Sequence, residues 1–413
     1  MDSASSSLRQ SPWALFVGIL AFVGLLTWLV GWALPLVIFL ILFMVMGHEF
    51  GHFITAKRAG LLVTDFFVGF GPVLWSTQRG ETRYGIRVLP LGGYVKVPGM
   101  TWGAAVPPDE EARTYREASY PKKVLFASAG SIMHVIMALA LAWVALTFIG
   151  NPSPTHVGVG SFTQWQGHKE TVAQIAGLHV GDQITKIDGT TITSIDQLTK
   201  ILHGSAGKHL TLVVERDGRA LTLNVTPVNG RTIKVGGKPL PAHGYIGIEV
   251  TELTVHTSPL AAIPDSFSEI GHYVGDAFVA IGRLPGEFPS LFHQVADAKA
   301  ATNPKNEDTR PSSIVGVVRF ADQAANAGAL PLITILALVN IFVGVLNMLP
   351  MLPLDGGYVA IATYERLRSR RGVRYRADIN KLAPVVYAFM SALLVLFACT
   401  LYLDIAHPIA NPF

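Results

Sequence analysis

His48-Glu49-Phe50-Gly51-His52 is the segment of this 413-residue chain whose residue types and spacing spell out a reaction. Residues four apart on a helix share a face, so both imidazoles can reach one zinc ion, and Glu49 would stand beside the metal-bound water as general base. With 13 histidines and 13 glutamates in the chain, chance would supply roughly 0.01 such matches. The motif also closes a run, Trp13 to Gly47, that carries no ionisable side chain. Two histidines and a glutamate at the end of such a span are costly in lipid unless paired, metal-bound or hydrated. The plain alternative is a pair of solvated histidines at a membrane boundary.

Catalytic zinc usually takes three protein ligands and leaves one position for water. The extended form of the motif would need a histidine at position 58, where Arg58 stands. The best third ligand is Asp355, in Asn347-Met348-Leu349-Pro350-Met351-Leu352-Pro353-Leu354-Asp355-Gly356-Gly357, the first charge after another apolar run of span length. Pro350 and Pro353 break a helix there and expose backbone that only a cavity or a protein contact can satisfy. Taken alone, an aspartate in such a turn is as readily an ordinary cap.

These residues need elements to position them, and the composition says which. Half the residues are apolar and 15% are charged, and mean hydropathy is +0.41. Soluble domains carry about 25% charge, so a soluble enzyme and a disordered chain are both excluded. The net charge of +4 is no nucleic-acid signal, because the basic residues flank apolar runs. The single cysteine, Cys399, excludes an internal disulfide and a Cys-rich metal site. Four stretches reach the ~20 helical residues that a bilayer needs: Trp13–Gly47, Val124–Ile149 (interrupted by His134), Gly328–Leu354 and Leu382–Leu403. The first would span roughly 52 Å as one helix. Gly31, Trp32 and Pro35 at its middle favour two spans joined by a tight turn, against one long kinked helix.

Lys57–Lys123 holds ten basic and six acidic residues, and 357–381 holds seven basic and two acidic. Residues 150–326 hold 14 basic and 16 acidic. The positive-inside rule makes the first two cytoplasmic and the third external. In the cytoplasmic segment, Val63–Gly71 and Arg83–Val97 read as β-hairpins about the turn Gln78–Glu81, followed by a short acidic helix start at 107–117. In the external segment, strands at Asp182–Asp188, His209–Glu215 and Leu221–Thr226 surround a helix, Ser194–His203, with a turn at Arg216–Arg219. Ile263, Phe267, Ile270, Val274, Phe278 and Ile281 mark an amphipathic helix, set on the membrane surface or against the preceding domain. Residues 298–313 read as a linker.

Taken together, the chain resembles the site-2 protease family of intramembrane zinc metalloproteases, in its bacterial form with one PDZ domain. The resemblance rests on the HExxH at 48–52, the NxxPxxxLDG at 347–356, Phe67-Val68-Gly69-Phe70-Gly71-Pro72 and Leu91-Gly92-Gly93-Tyr94-Val95-Lys96, and covers about residues 36–403. It implies that His48, His52 and Asp355 bind one zinc ion, that Glu49 activates the water, and that Asn347 contacts substrate backbone. It implies too that the region around Gly92, Gly93 and Tyr94 accepts substrate as an added strand, which has a physical reason: a helical substrate must unwind before its amides can react. Ala176-Gly177-Leu178, Gly181-Asp182, Ile184 and Ile187-Asp188-Gly189 resemble the bacterial PDZ signature. The family often has Gly-Pro-x-x-Asn early in the second core span, whereas this chain has Gly130-Ser131-Ile132-Met133-His134. His134 is thus a polar contact for substrate at the active site, a group that makes the site pH-sensitive, or a neutral imidazole bonded to a neighbouring helix.

The expected fold is a polytopic α-helical membrane protein of four or five spans with a cytoplasmic-face β-hairpin region and an extracytoplasmic α+β PDZ domain. Its parts are an N-terminal tail (1–12), a membrane region carrying HExxH (13–56, two spans), the hairpin region (57–123), a span (124–149), the PDZ-like domain (150–254), the amphipathic helix and linker (255–326), a span ending in Leu-Asp-Gly (327–356), a basic cytoplasmic loop (357–381), a span (382–403) and a C-terminal tail (404–413). The expected location is the bacterial inner membrane. Expected substrates are single-span membrane proteins already cut by a site-1 protease, such as anti-sigma factors, or remnant signal peptides; no nucleic acid is expected. The rivals are a PDZ membrane scaffold with structural zinc, which would need no Glu49, and a metal transporter, which would need ligands repeated along a path.

Overall fold

A computed structural model describes residues 12–100, 106–165, 170–235, 238–307, 310–369 and 375–411. They form two compact units, one of residues up to Val144 and from Ile263 onward, the other of 145–262. In the first unit the apolar N-terminal run is broken into α1 (Pro12–Val30) and α2 (Ala33–Arg58). The break is Gly31, whose φ of 87° suits glycine alone, and Pro35 falls in the first turn of α2, where a missing N–H costs nothing. Lys57 and Arg58 end α2 at the negative pole of its dipole.

β1 (Asp65–Arg79) and β2 (Thr82–Lys96) follow as one long hairpin rather than two. The two halves of β2 flank the start of β1, so that Phe66 lies opposite both Tyr84 and Val95. At the hairpin tip, Glu81 accepts from Lys57 at 2.9 Å and from Arg113 at 2.8 Å. Arg113, then Lys57, hold its carboxyl at about 2, which ties the tip to the end of α2. Residues 107–117 form turns and a single 3₁₀ turn, Glu111–Arg113, in place of a longer helix.

α3 (Tyr120–Val144) runs closely beside α2. A Cβ on Gly51 would stand 2.5 Å from the Ala129 carbonyl oxygen, so the small residue is what permits the approach.

The second unit is built on a sheet. Its strands are β3 (Asn151–Phe162), β4 (Gln183–Ile187), β5 (Leu210–Arg216), β6 (Arg219–Val225) and β7 (Ile248–Val255), in the order β7-β3-β4-β5-β6, and α4 (Ile195–His203) follows the short Thr190–Thr191 strand that pairs with β4. Ser194 caps α4 through the Gln197 N–H. Ile184, Ile187, Leu198, Leu212 and Val214 make the core. Asp182, 1% exposed, accepts from Arg216 Nε and Nη2 at 2.6 Å and from the His179 N–H at 2.8 Å. Burial pushes its carboxyl up, but these donors outweigh burial and leave it below the ordinary value.

Back in the first unit, α5 (Ala262–Ala296) continues well beyond the periodic stretch read from the sequence. Its Ile270 and Ala277 pack with Ala138 and Ala142 of α3 and with Ala337 and Ile341 of α7 (Ala329–Asn347). Between them comes α6 (Ile314–Ala327), a helix the sequence reading did not separate. α8 (Asp355–Arg368) and α9 (Ala383–Ala406) complete the chain. Asp404 near the end of α9 accepts from both the N–H and the hydroxyl of Ser313 at 2.7 Å. Among the described residues, four helices are long and apolar enough to cross a membrane: Ala33–Arg58, Tyr120–Ile149, Ala329–Asn347 and Ala383–Ala406. With the sheets, they make this a polytopic membrane protein.

Candidate metal centre

α2 presents His48 and His52 one turn apart on a single face. Their Nε2 atoms are 3.2 Å apart. Asp355 Oδ2 lies 3.3 Å from His48 Nε2 and 3.2 Å from His52 Nε2. Three donor atoms around a tetrahedral ion with bonds of about 2.0–2.1 Å stand roughly 3.3 Å from one another, so the cluster has the dimensions of a zinc site. Its chemistry agrees: the donors are nitrogen and oxygen, and Asp355 Oδ2 is buried without a hydrogen bond. A carboxylate oxygen in that condition is costly until a cation takes it. The residues present fit zinc.

The surroundings hold these side chains in place. The Nδ1–H of His52 donates to the Phe126 carbonyl of α3 at 2.8 Å. A carbonyl only accepts, so the hydrogen sits on Nδ1 and Nε2 is left bare for a metal. Gly130 of α3 makes room for His48, since a Cβ there would lie 2.6 Å from His48 Nε2 and closer still to other ring atoms. Gly130→Ala should therefore weaken zinc binding by about 10- to 100-fold, the scale of lost outer support, while helix content is kept. Competition with a chromophoric chelator, beside circular dichroism, reads both. Asp355 opens α8 directly after its N-cap residue, Leu354. The loop before it folds tightly over the helix start: a Cβ on Gly356 would run into the Met348 carbonyl, and one on Gly357 would be 2.7 Å from the Leu352 nitrogen.

Glu49, next to His48 on α2, faces the hairpin, and a Cβ on Gly93 would meet its Cγ at 3.2 Å. Alternation along β2 turns Tyr94 the other way. Its ring stacks on Phe67 and its hydroxyl accepts from Arg87 Nη2 at 2.7 Å, so Tyr94 does not reach the metal cluster. Gly92 has a φ of 147°, and a Cβ there would lie 2.9 Å from Phe70 Cε2. Asn347 ends α7, and its amide makes no hydrogen bond among the described residues.

His134 lies beside the cluster, its ring centroid 5.1 Å from that of His48, and its Nδ1 is 2.8 Å from Asn340 Oδ1. Sequence reasoning missed Asn340 and the Phe126 carbonyl, and it named Gly130 only as the start of the Gly130–His134 segment. Asn340 left a signal, as a rare polar side chain within an apolar run.

Residues 36–394 match the model of peptidase family M50. The chain belongs to this family, the site-2 protease family. Among similar proteins, zinc metalloprotease Rip1 of Mycobacterium tuberculosis is 32% identical over 392 residues, covering 88% of this chain and 94% of its own length. Rip1 of Mycolicibacterium smegmatis is 28% identical over the same span. A putative zinc metalloprotease of Nostoc is 31% identical over 334 residues, or 79% of this chain and 84% of its own length. The M50 match runs from α2 into α9 and so includes every residue of the cluster.

Proposed function

We propose that this M50 chain is an intramembrane zinc endopeptidase that cuts the apolar segments of single-span membrane proteins. The observation that carries the reading is the convergence of His48, His52 and Asp355 at the ends of apolar helices, with Glu49 adjoining. His48, His52 and Asp355 would hold the zinc, which supplies Lewis acidity and a lowered pKa for water. Glu49 takes a proton from the attacking water and returns it to the leaving amide nitrogen as the peptide bond breaks. The names of the similar zinc metalloproteases support the choice of metal and reaction.

A helix hides its amides, so a substrate has to unwind before attack. The end of β2, Gly92 to Tyr94, suits an added substrate strand, with Gly93 lacking a side chain beside Glu49. Asn347 is suited to contact substrate backbone. In this reading α1 is a first span, β1–β2 and the basic 357–381 loop face the cytoplasm, and the second unit is an extracytoplasmic PDZ-like domain of an inner-membrane protein. Ile184 and Ile187 in its core and the positive φ of Gly181 and Gly189 support that assignment. Substrates would be proteins shortened first by another protease, such as anti-sigma factors or remnant signal peptides.

The test is cleavage of a tagged single-span reporter by the purified chain in proteoliposomes. Cleavage should stop with a zinc chelator and return when zinc is restored. Cleavage that persists after verified removal of zinc would overturn the reading.

A further inference from the structure

One polar group beside the cluster has no part in metal binding or proton transfer. His134, 2% exposed, is paired with Asn340, which is fully buried. The Asn340 Nδ2 donates to the Leu336 carbonyl at 2.9 Å, which fixes the amide so that Oδ1 faces the imidazole. That oxygen can only accept, so His134 carries its hydrogen on Nδ1, and in the neutral ring Nε2 is a bare acceptor. No described residue donates to it. Ser131, three residues earlier and on the same face of α3, has its hydroxyl buried without a partner. Gly344 lets α7 close on this point, since a Cβ there would be 3.0 Å from His134 Cβ.

An unwound substrate brings backbone N–H groups that have lost their helical acceptors, and in a water-poor site each needs a new one. His48, His52 and Asp355 are committed to the metal and Glu49 to the proton. We infer that His134, oriented by Asn340, receives a backbone N–H of the substrate close to the scissile bond and so sets its register. This rests on the intramembrane-peptidase reading and names a substrate contact that the metal cluster alone does not supply.

Binding tests it without turnover. A fluorescent single-span peptide is titrated against zinc-loaded Glu49→Gln chain in nanodiscs, alongside analogues in which one backbone NH at a time is replaced by an ester oxygen. At one position the ester should weaken binding about tenfold, the scale of one hydrogen bond. Glu49→Gln/His134→Ala should bind the all-amide peptide about tenfold more weakly, with no further loss from the ester at that position. Glu49→Gln/His134→Gln, which keeps an acceptor, should keep the ester effect. An ester penalty of equal size with and without His134, or none at any position, overturns the inference while leaving the peptidase reading intact. Loss of zinc in the His134→Ala chain also overturns it, since His134 would then support the metal. If no peptide binds the zinc-loaded chain, the peptidase reading fails, and the inference with it.

Discussion

Glu49→Gln is expected to bind zinc at wild-type stoichiometry and to cleave a reporter about 10²- to 10⁴-fold more slowly, the range that positioned general acid–base groups contribute. Glutamine keeps the shape that fits beside Gly93 but cannot take a proton from water. Metal content and rate therefore separate in this variant, which distinguishes a proton carrier from a ligand. Single-turnover cleavage with zinc measured on the same sample reads both. A variant within about tenfold of wild type, well under that range, would remove Glu49 from the chemistry.

Asp355→Ala should do the opposite and lose the metal itself. It leaves two imidazoles where catalytic zinc normally has three protein ligands. The loss of affinity should exceed the roughly 10- to 100-fold produced by removing an outer partner, and cleavage should fall with it. Asn347→Ala on the neighbouring turn should leave zinc binding unchanged. Chelator competition on both variants checks this. Full zinc retention in Asp355→Ala would exclude Asp355 as a ligand.

The helical half of the cluster was legible because four-residue spacing is local: His48 and His52 face the same way in any helix. Asp355 could be singled out by type and depth, but its approach to the histidines depends on how Gly356 and Gly357 let the preceding loop fold. Asn340 was harder, since its partner lies on another helix and nothing in the apolar run points to α3. In the second unit, β4–β6 have regular alternation and glycine turns, and they were readable. β3 was not, because two prolines (Pro152, Pro154) and two glycines (Gly158, Gly160) are disfavoured within strands. It forms nonetheless by pairing with β7, through a register shift near Val250. α5 was found only as far as its regular periodicity runs, although the helix continues through Pro285 and Pro289.

The central claim is that the cluster cuts peptide bonds within an apolar segment. It is tested most directly by mass spectrometry of the products from the proteoliposome reaction, which locates the cut. The expected result is a cut inside the reporter's apolar span, made by the wild-type chain and slowed about 10²- to 10⁴-fold with Glu49→Gln. A cut confined to the flanking polar segments, or the same cut at the same rate with Glu49→Gln, would contradict it.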